Sequence, residues 1–367
     1  MRPDTATRSG HEIRAVSPRR DTSGSAILIG TLVWLFTVVF TGWTALGLPE
    51  IASGGWKGLI AIALWLMVAL ALVAGLPLLR GLRYRREAAR AQAADDHPAV
   101  RAARSHASRS GWLAAGWSLP LIAVTVFAQF LAANDHSVQS TFFDVEFMAR
   151  SFQDILIGFW VNVRIAVVAQ ILILFWALLI ALAKLAPGRG GRPIRWIATT
   201  YIDIFRAVPS IVVIYLIGFG LPLAQVPFFS DLGPFWSAVL ALTLIYGAYV
   251  AEVYRSGIEG VHWSQVAAAR SLGLSYGKTM RFVVLPQAVR RVLPPLLNDF
   301  IGLQKDTALV TIIGTVEVFT QAKIYAGNYF NLSSVTVVAI IFIIITIPQT
   351  RFVDRLIERD SRAKTRS

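Results

Sequence analysis

The chain has 367 residues, of which 55% are hydrophobic and only 15% charged, with 35 Lys and Arg against 21 Asp and Glu and a net charge of +14. Soluble domains carry about 25% charged residues and disordered chains are poor in hydrophobic ones, so a mean hydropathy of +0.59 points to lipid as the main solvent. The absence of Cys excludes disulfides and thiolate chemistry, and His11, His97, His106, His136 and His262 lack ligand spacing.

A membrane-spanning helix needs about 20 apolar residues. Residues 26–46, 59–79 and 112–132 meet this without a single charge, as does 165–183 inside a longer run that begins near 156. The first run is too long for the core of a secretory signal and is expected to be an uncleaved anchor. Residues 196–220, 235–253 and 296–316 have the length but contain Asp203, Arg206, Glu252, Asp299, Lys305 and Asp306, and a last apolar run covers 332–348. The reading is an all-α, polytopic transmembrane helical protein of about eight spans. Trp34, Trp65, Trp112, Trp117, Tyr246 and Tyr249 read as interface anchors or packing residues.

Basic residues set the orientation. They crowd the N-tail (Arg2, Arg8, Arg14, Arg19, Arg20), the connection 80–110, the segments after the fourth and sixth spans, and the C-tail, together twenty-nine of the 35. Lys57, Arg150, Arg164 and Lys323 fall on the other side, and Arg206 and Lys305 fall within spans. Both termini are therefore expected to be cytoplasmic. Recurrence in every second loop is unlike a nucleic-acid patch, which gathers basic residues on one folded surface, so no nucleic acid is expected as a partner and membrane lipid is.

Residues 1–151 read as an N-terminal extension of three plain spans with an Arg/Ala-rich cytoplasmic connection, solvated helix or flexible linker. From Phe152 to Arg359 ionisable residues enter the spans, where each costs roughly 2.5–3.5 kcal/mol at mid-helix, and function is expected there. Residues 360–367 form a basic tail.

Within 262–291 the stretch SQVAAARSLGLSYGKTMRFVVLP is punctuated twice. Ser264 is a candidate N-cap, Gly273 suits the left-handed position that ends a helix, and Ser275 can cap a second helix, expected to stop near Leu285 because Pro286 disfavours helix before it. Gly273 to Thr279 imitates a phosphate-binding loop, but only three residues separate Gly273 from Gly277 where the motif needs four. Nucleotide-driven work would need another subunit. Asn331-Leu332-Ser333 matches a glycosylation triplet, a pattern short enough to arise fortuitously.

Ala267, Ala268, Ala269, Gly273, Val283, Leu285 and Pro286 stand at the spacing of the EAA signature loop, so the segment resembles that of permease subunits of binding-protein-dependent ABC importers. YIDIFRAVPS (201–210), AYVAEVYRSGIEGV (248–261) and FIGLQKDTALVTIIG (300–314) resemble segments of the polar amino acid uptake subgroup. Ala267 departs from the family's Glu, which could close a capping box with Ser264. The resemblance implies that the loop docks on cytoplasmic ABC ATPase subunits, that an extracytoplasmic amino acid-binding protein delivers substrate, and that a second permease subunit, identical or related, completes the pore in a bacterial inner membrane. It implies no cofactor, no metal and no covalent catalysis by this chain.

A zwitterion offers a carboxylate and an ammonium group. Arg206 and Lys305 are candidate partners of the first, Glu252 and Asp306 of the second, with Thr307 beside them and Pro209 expected to break or kink the fifth span. Glu252 also reads as a structural pair with Arg255. The alternatives are an ion-coupled secondary transporter or channel for small polar solutes, and a non-transporting membrane receptor or scaffold.

Overall fold

The computed structural model describes residues 21–51, 57–132 and 137–366. Arg2, Arg8, Arg14, Arg19, Arg20, His11, Asp135 and His136 lie outside them. The described residues form helices without a strand, and two compact units divide between Gln139 and Ser140. That division precedes the 151/152 boundary read from the sequence, because one helix runs unbroken from Val145 to Lys184.

The first unit contains α1 (Ser23–Ile51), α2 (Lys57–Ala74), α3 (Leu76–Ala93) and α4 (His97–Ala132). Small residues let α1 and α4 cross backbone to backbone: a methyl group on Gly111 would sit 2.3 Å from the carbonyl oxygen of Ala26. Trp34 donates to the Ala71 carbonyl at 2.8 Å and lies over Gly75, tying α1 to α2. The Arg/Ala-rich connection is helical, the end of α3 and the start of α4 forming a hairpin. Its Arg104 pairs with Asp21 at 3.2 Å and with Gln92 at 2.9 Å.

The division falls within the short α5 (Ser137–Phe142), and the second unit continues with α6 (Val145–Lys184), α7 (Arg192–Ala207), α8 (Ser210–Leu223) and α9 (Pro234–Glu259). Then come α10 (Trp263–Ser271), α11 (Tyr276–Ile313), α12 (Val318–Tyr329) and α13 (Ser333–Arg366). Its main core joins Ile165 and Ile173 of α6, Ile202 of α7, Ile214 of α8, Leu242 and Ile245 of α9 and Leu303 of α11, all essentially inaccessible. Alanines 169, 177, 241 and 248 bring α6 and α9 close together. Gly247 receives the indole of Trp176, where a Cβ would meet it at 2.6 Å.

Among the described residues six helical segments are long and apolar enough to cross a membrane, and eight spans result only when two bent pairs each count as one. The run 196–220 is not a straight span: α7 and α8 meet at 105° across Val208 and Pro209, as the fixed backbone of proline requires. The run 296–316 is likewise the end of α11, which tightens to a 3-10 turn over Thr307–Ile313, stops at left-handed Gly314 and meets α12 at 52°.

Candidate functional site

The loop between α9 and α11 corrects two expectations. The N-cap of α10 is His262, not Ser264; its Nδ1 accepts the backbone N–H of Ser264 at 3.3 Å. Ala267 is then the fifth helical residue, past the capping-box position. Nor does the second helix stop at Leu285. Residues 280–284 widen into a π-turn, the carbonyl that the Pro286 ring would strike is displaced, and the helix continues to Asp306. Leu216–Gly220 repeats the device before Pro222 in α8.

Gly273 does occupy the left-handed region, at φ +79°. Its N–H bonds to the Arg270 carbonyl at 3.0 Å and that of Leu274 to the Ala269 carbonyl at 3.2 Å, which completes a Schellman closure of α10. Ser275 caps α11 by accepting from Lys278 N–H. Ala269 is buried, whereas Ala267 and Ala268 face outward. Val261, Val284 and Ala288 bury against one another with Val266 of α10 and Met280 of α11 beside them, so the loop stands on α11 itself. Val283 is half-buried, and Leu285 and Pro286 are exposed on α11. The apex presents apolar side chains to the outside: Leu272 is 83% exposed, Trp263 74% and Tyr276 68%.

A second site lies where α7, α9 and α11 approach. Trp176 donates to the Tyr201 hydroxyl at 2.9 Å, and Tyr201 donates to the Leu244 carbonyl at 2.6 Å, fixing α7 between α6 and α9. Arg206, in the last turn of α7 just before the break at Pro209, then stands 5.5 Å from the ring centre of Tyr249. Tyr246, one helical turn earlier, donates to Asp306 Oδ2 at 3.1 Å, and Gly302 leaves room for its hydroxyl. Asp299 lies within the field of Arg206, and its buried Oδ2 has no hydrogen-bond partner among the described residues. Lys305 is exposed beside this group. The arrangement offers cationic, anionic and aromatic faces together.

Of the six pathway candidates, Glu252 stands apart from this group. It pairs with Lys184 of α6 and with Arg255 at 2.7 Å, while Arg255 also reaches Glu259. Lys184 was not expected in that pair. Thr307 belongs to a different network: its hydroxyl donates to the Gln304 carbonyl at 2.6 Å and accepts from Asn162 Nδ2 at 3.0 Å. Asn162 also donates to Glu317 at 3.1 Å and accepts from Val318 N–H at 2.9 Å. Glu317 is fully buried and caps α12, accepting from the N–H groups of Phe319 at 2.8 Å and Thr320 at 2.7 Å. The bond from Thr307 to Gln304 brackets Lys305 and Asp306 and closes the turn that carries both. Sequence reasoning missed Asn162, Glu317, Tyr246 and Asp299 as members of these networks. Asn331 bonds the Ser140 carbonyl and caps the turn into α13, a structural use of the triplet.

Residues 183–362 match the model of the family described as binding-protein-dependent transport system inner membrane component. The arginine transport system permease protein ArtQ of Bacillus subtilis is 35% identical over 206 residues, which cover 56% of this chain and 91% of that protein. The glutamine transport system permease protein GlnP of Escherichia coli K12 is 39% identical over 181 residues, covering 48% and 80%. Among solved structures, that of an amino acid ABC transporter with histidines superposes with a TM-score of 0.53 at 30% identity, over 58% of this chain and 96% of that one.

Proposed function

Because the chain belongs to the family of binding-protein-dependent transport system inner membrane components, we propose that it is the permease subunit of an ABC importer that carries polar L-amino acids into the cytoplasm. Separate ATPase subunits drive it, an extracytoplasmic binding protein feeds it, and a second permease subunit completes the pathway. In this reading the chain catalyses no covalent reaction, both termini face the cytoplasm, and the membrane is the bacterial inner one.

The observation that carries the reading is the loop: α10 closed by Gly273, its apex apolar and exposed, its base packed on the helix that leads to Lys305 and Asp306. Closure of the ATPase dimer pushes α10, and α11 passes the movement to the substrate path. Ala267, Ala268 and Gly273 permit close approach of the motor, and Ala269 holds α10 to its base. In the path, Arg206 and Lys305 attract the substrate carboxylate, Asp306, oriented by Tyr246, attracts the ammonium group, and Pro209 shapes the wall. Glu252 ties α6 to α9 near their inner ends. The relatives' names span arginine and glutamine, and a path lined by both signs of charge suits the zwitterionic part these share.

Reconstitution with ATPase and binding protein tests the reading. Uptake of a labelled amino acid should require ATP and persist with ionophores present; uptake driven by an ion gradient without ATP would favour a secondary transporter instead. Single Cys at Ser108 and Asn328 should label from opposite sides of intact cells.

A further inference from the structure

Within the first unit, apart from the docking loop and the charged cluster, a cavity of about 440 Å³ opens between α2–α3 and α4. Leu70, Val73, Ala74 and Pro77 line one side and Trp117, Pro120 and Leu121 the other, so every wall is apolar. Leu70, Val73 and Trp117 remain more than half exposed, which makes the cavity an open trough along the seam of the helices.

Two contacts fix the register of that seam. A methyl group on Gly81 of α3 would sit 3.1 Å from Ser110 Cβ of α4, and the rings of Tyr84 and His106 stack with centres 5.2 Å apart. Arg80 and Arg109 are the residues immediately before Gly81 and Ser110. In antiparallel helices the residues preceding a facing pair lie on the same side of the seam, one about 100° of rotation from each contact. That side is the trough's: Arg80 follows Val73 by seven positions and Arg109 precedes Pro120 by eleven, spacings that return a helix to nearly the same face. Arg80 lies about 4.5 Å along the axis beyond Pro77, at the hairpin end of the trough. Both guanidinium groups are exposed, and neither has an ion pair among the described residues. Residues 76–110 hold eight Arg against three acidic residues.

An apolar trough that ends at two unpaired cations matches an amphiphile with an anionic head. A neighbouring apolar helix would cover the trough and leave both charges unmet, and a free anion would meet the charges and leave the trough bare. A phosphodiester suits the arginines, which bind phosphate oxygens through charge-assisted hydrogen bonds, and basic residues beside transmembrane helices favour anionic lipid heads. We propose that this trough is a binding site for an anionic phospholipid, its phosphate met by Arg80 and Arg109 and one acyl chain laid along Val73, Pro77, Trp117 and Pro120. The bound lipid joins α2–α3 to α4 from the outside of the seam.

Photo-crosslinking tests the site on the complete permease–ATPase complex in nanodiscs. A phosphatidylglycerol carrying a diazirine in one acyl chain should label residues 70–77 and 117–121, and unlabelled phosphatidylglycerol should compete about tenfold better than phosphatidylcholine of the same chains. Arg80→Gln and Arg109→Gln should each weaken labelling about fivefold, the effect of one basic residue near an anionic head. Arg90→Gln, nine positions after Gly81 and so on the far face of α3, should leave labelling unchanged. Each variant is read with its own melting temperature, so either glutamine variant of the pair decides if the other fails to assemble. The proposal is overturned by equal competition from phosphatidylcholine, by unchanged labelling in a folded Arg80→Gln or Arg109→Gln variant, or by an equal loss in Arg90→Gln. Displacement by excess inorganic phosphate, or labelling that spares the trough as a neighbouring helix seated there would require, overturns it as well.

Discussion

The hydroxyl of Tyr246 donates to Asp306 Oδ2 at 3.1 Å, joining α9 to the end of α11 across sixty positions of sequence. This bond orients the carboxylate proposed to meet the substrate ammonium group. Tyr246→Phe keeps the ring and deletes the donor. A hydrogen bond to a charged group contributes about 1.5–3 kcal/mol, so uptake should fall about tenfold or more, chiefly through KM, at unchanged membrane abundance. Transport kinetics in vesicles measure this, and a wild-type KM would contradict the role.

Glu317 is buried without an ion pair among the described residues and rests instead on Asn162 and the first N–H groups of α12. Glu317→Ala strips these donors of their acceptor and should cost about 2–4 kcal/mol. Glu317→Gln, which keeps the shape and one acceptor, should cost less. The ordering Gln above Ala in melting temperature of the purified protein is the expected result.

Gly111 and Gly116 both lie on α4, yet only the first touches another backbone. Gly111→Ala drives a methyl group into α1 where neither backbone can yield, and the first unit should lose more than about 2 kcal/mol. Gly116 has open space around its Cα, so Gly116→Ala should be neutral or stabilising by up to about 1 kcal/mol from helix propensity. Thermal unfolding of the two variants side by side makes the comparison.

Gly273 has no neighbour within contact of its would-be Cβ. Gly273→Ala therefore meets only left-handed backbone strain, about 1 kcal/mol, and should keep most of the uptake. Gly273→Asp adds a charge at the docking contact and should uncouple ATP hydrolysis from transport while insertion stays normal. Parallel ATPase and uptake assays separate these effects.

Lys184→Glu should weaken the tie between α6 and α9 by placing two carboxylates together, and the double exchange Lys184→Glu with Glu252→Lys should restore part of the lost stability. Both side chains are only about one-fifth exposed, so the coupling should be at least the roughly 1 kcal/mol of the better exposed pairs. A double-mutant cycle on melting temperature reads it.

Local chemistry made the punctuation of the chain legible. Gly273 announces a left-handed residue and Pro209 a break, and each acts as its backbone dictates. Pro286 misled because a π-turn, which depends on longer-range packing, lets a helix pass a proline that local rules take as a stop. Asn162 and Glu317 were hidden for another reason: 155 positions separate them, and a lone Glu in an apolar stretch does not declare which helix will answer it. A polar residue of each kind in a span is the signal that would have prompted the search. Tyr246 reads as an interface aromatic until α11 brings Asp306 to it.

In the proposed mechanism the widened turn before Pro286 lets α11 serve as one lever. From Tyr276 to Asp306 the helix is roughly 45 Å long at 1.5 Å per residue, uninterrupted from the foot of the docking loop to the charged pair. Pivoting it by about 10° near one end displaces the other by roughly 8 Å, more than a full helical turn. A helix that stopped at Leu285 would spend the same push on a flexible joint.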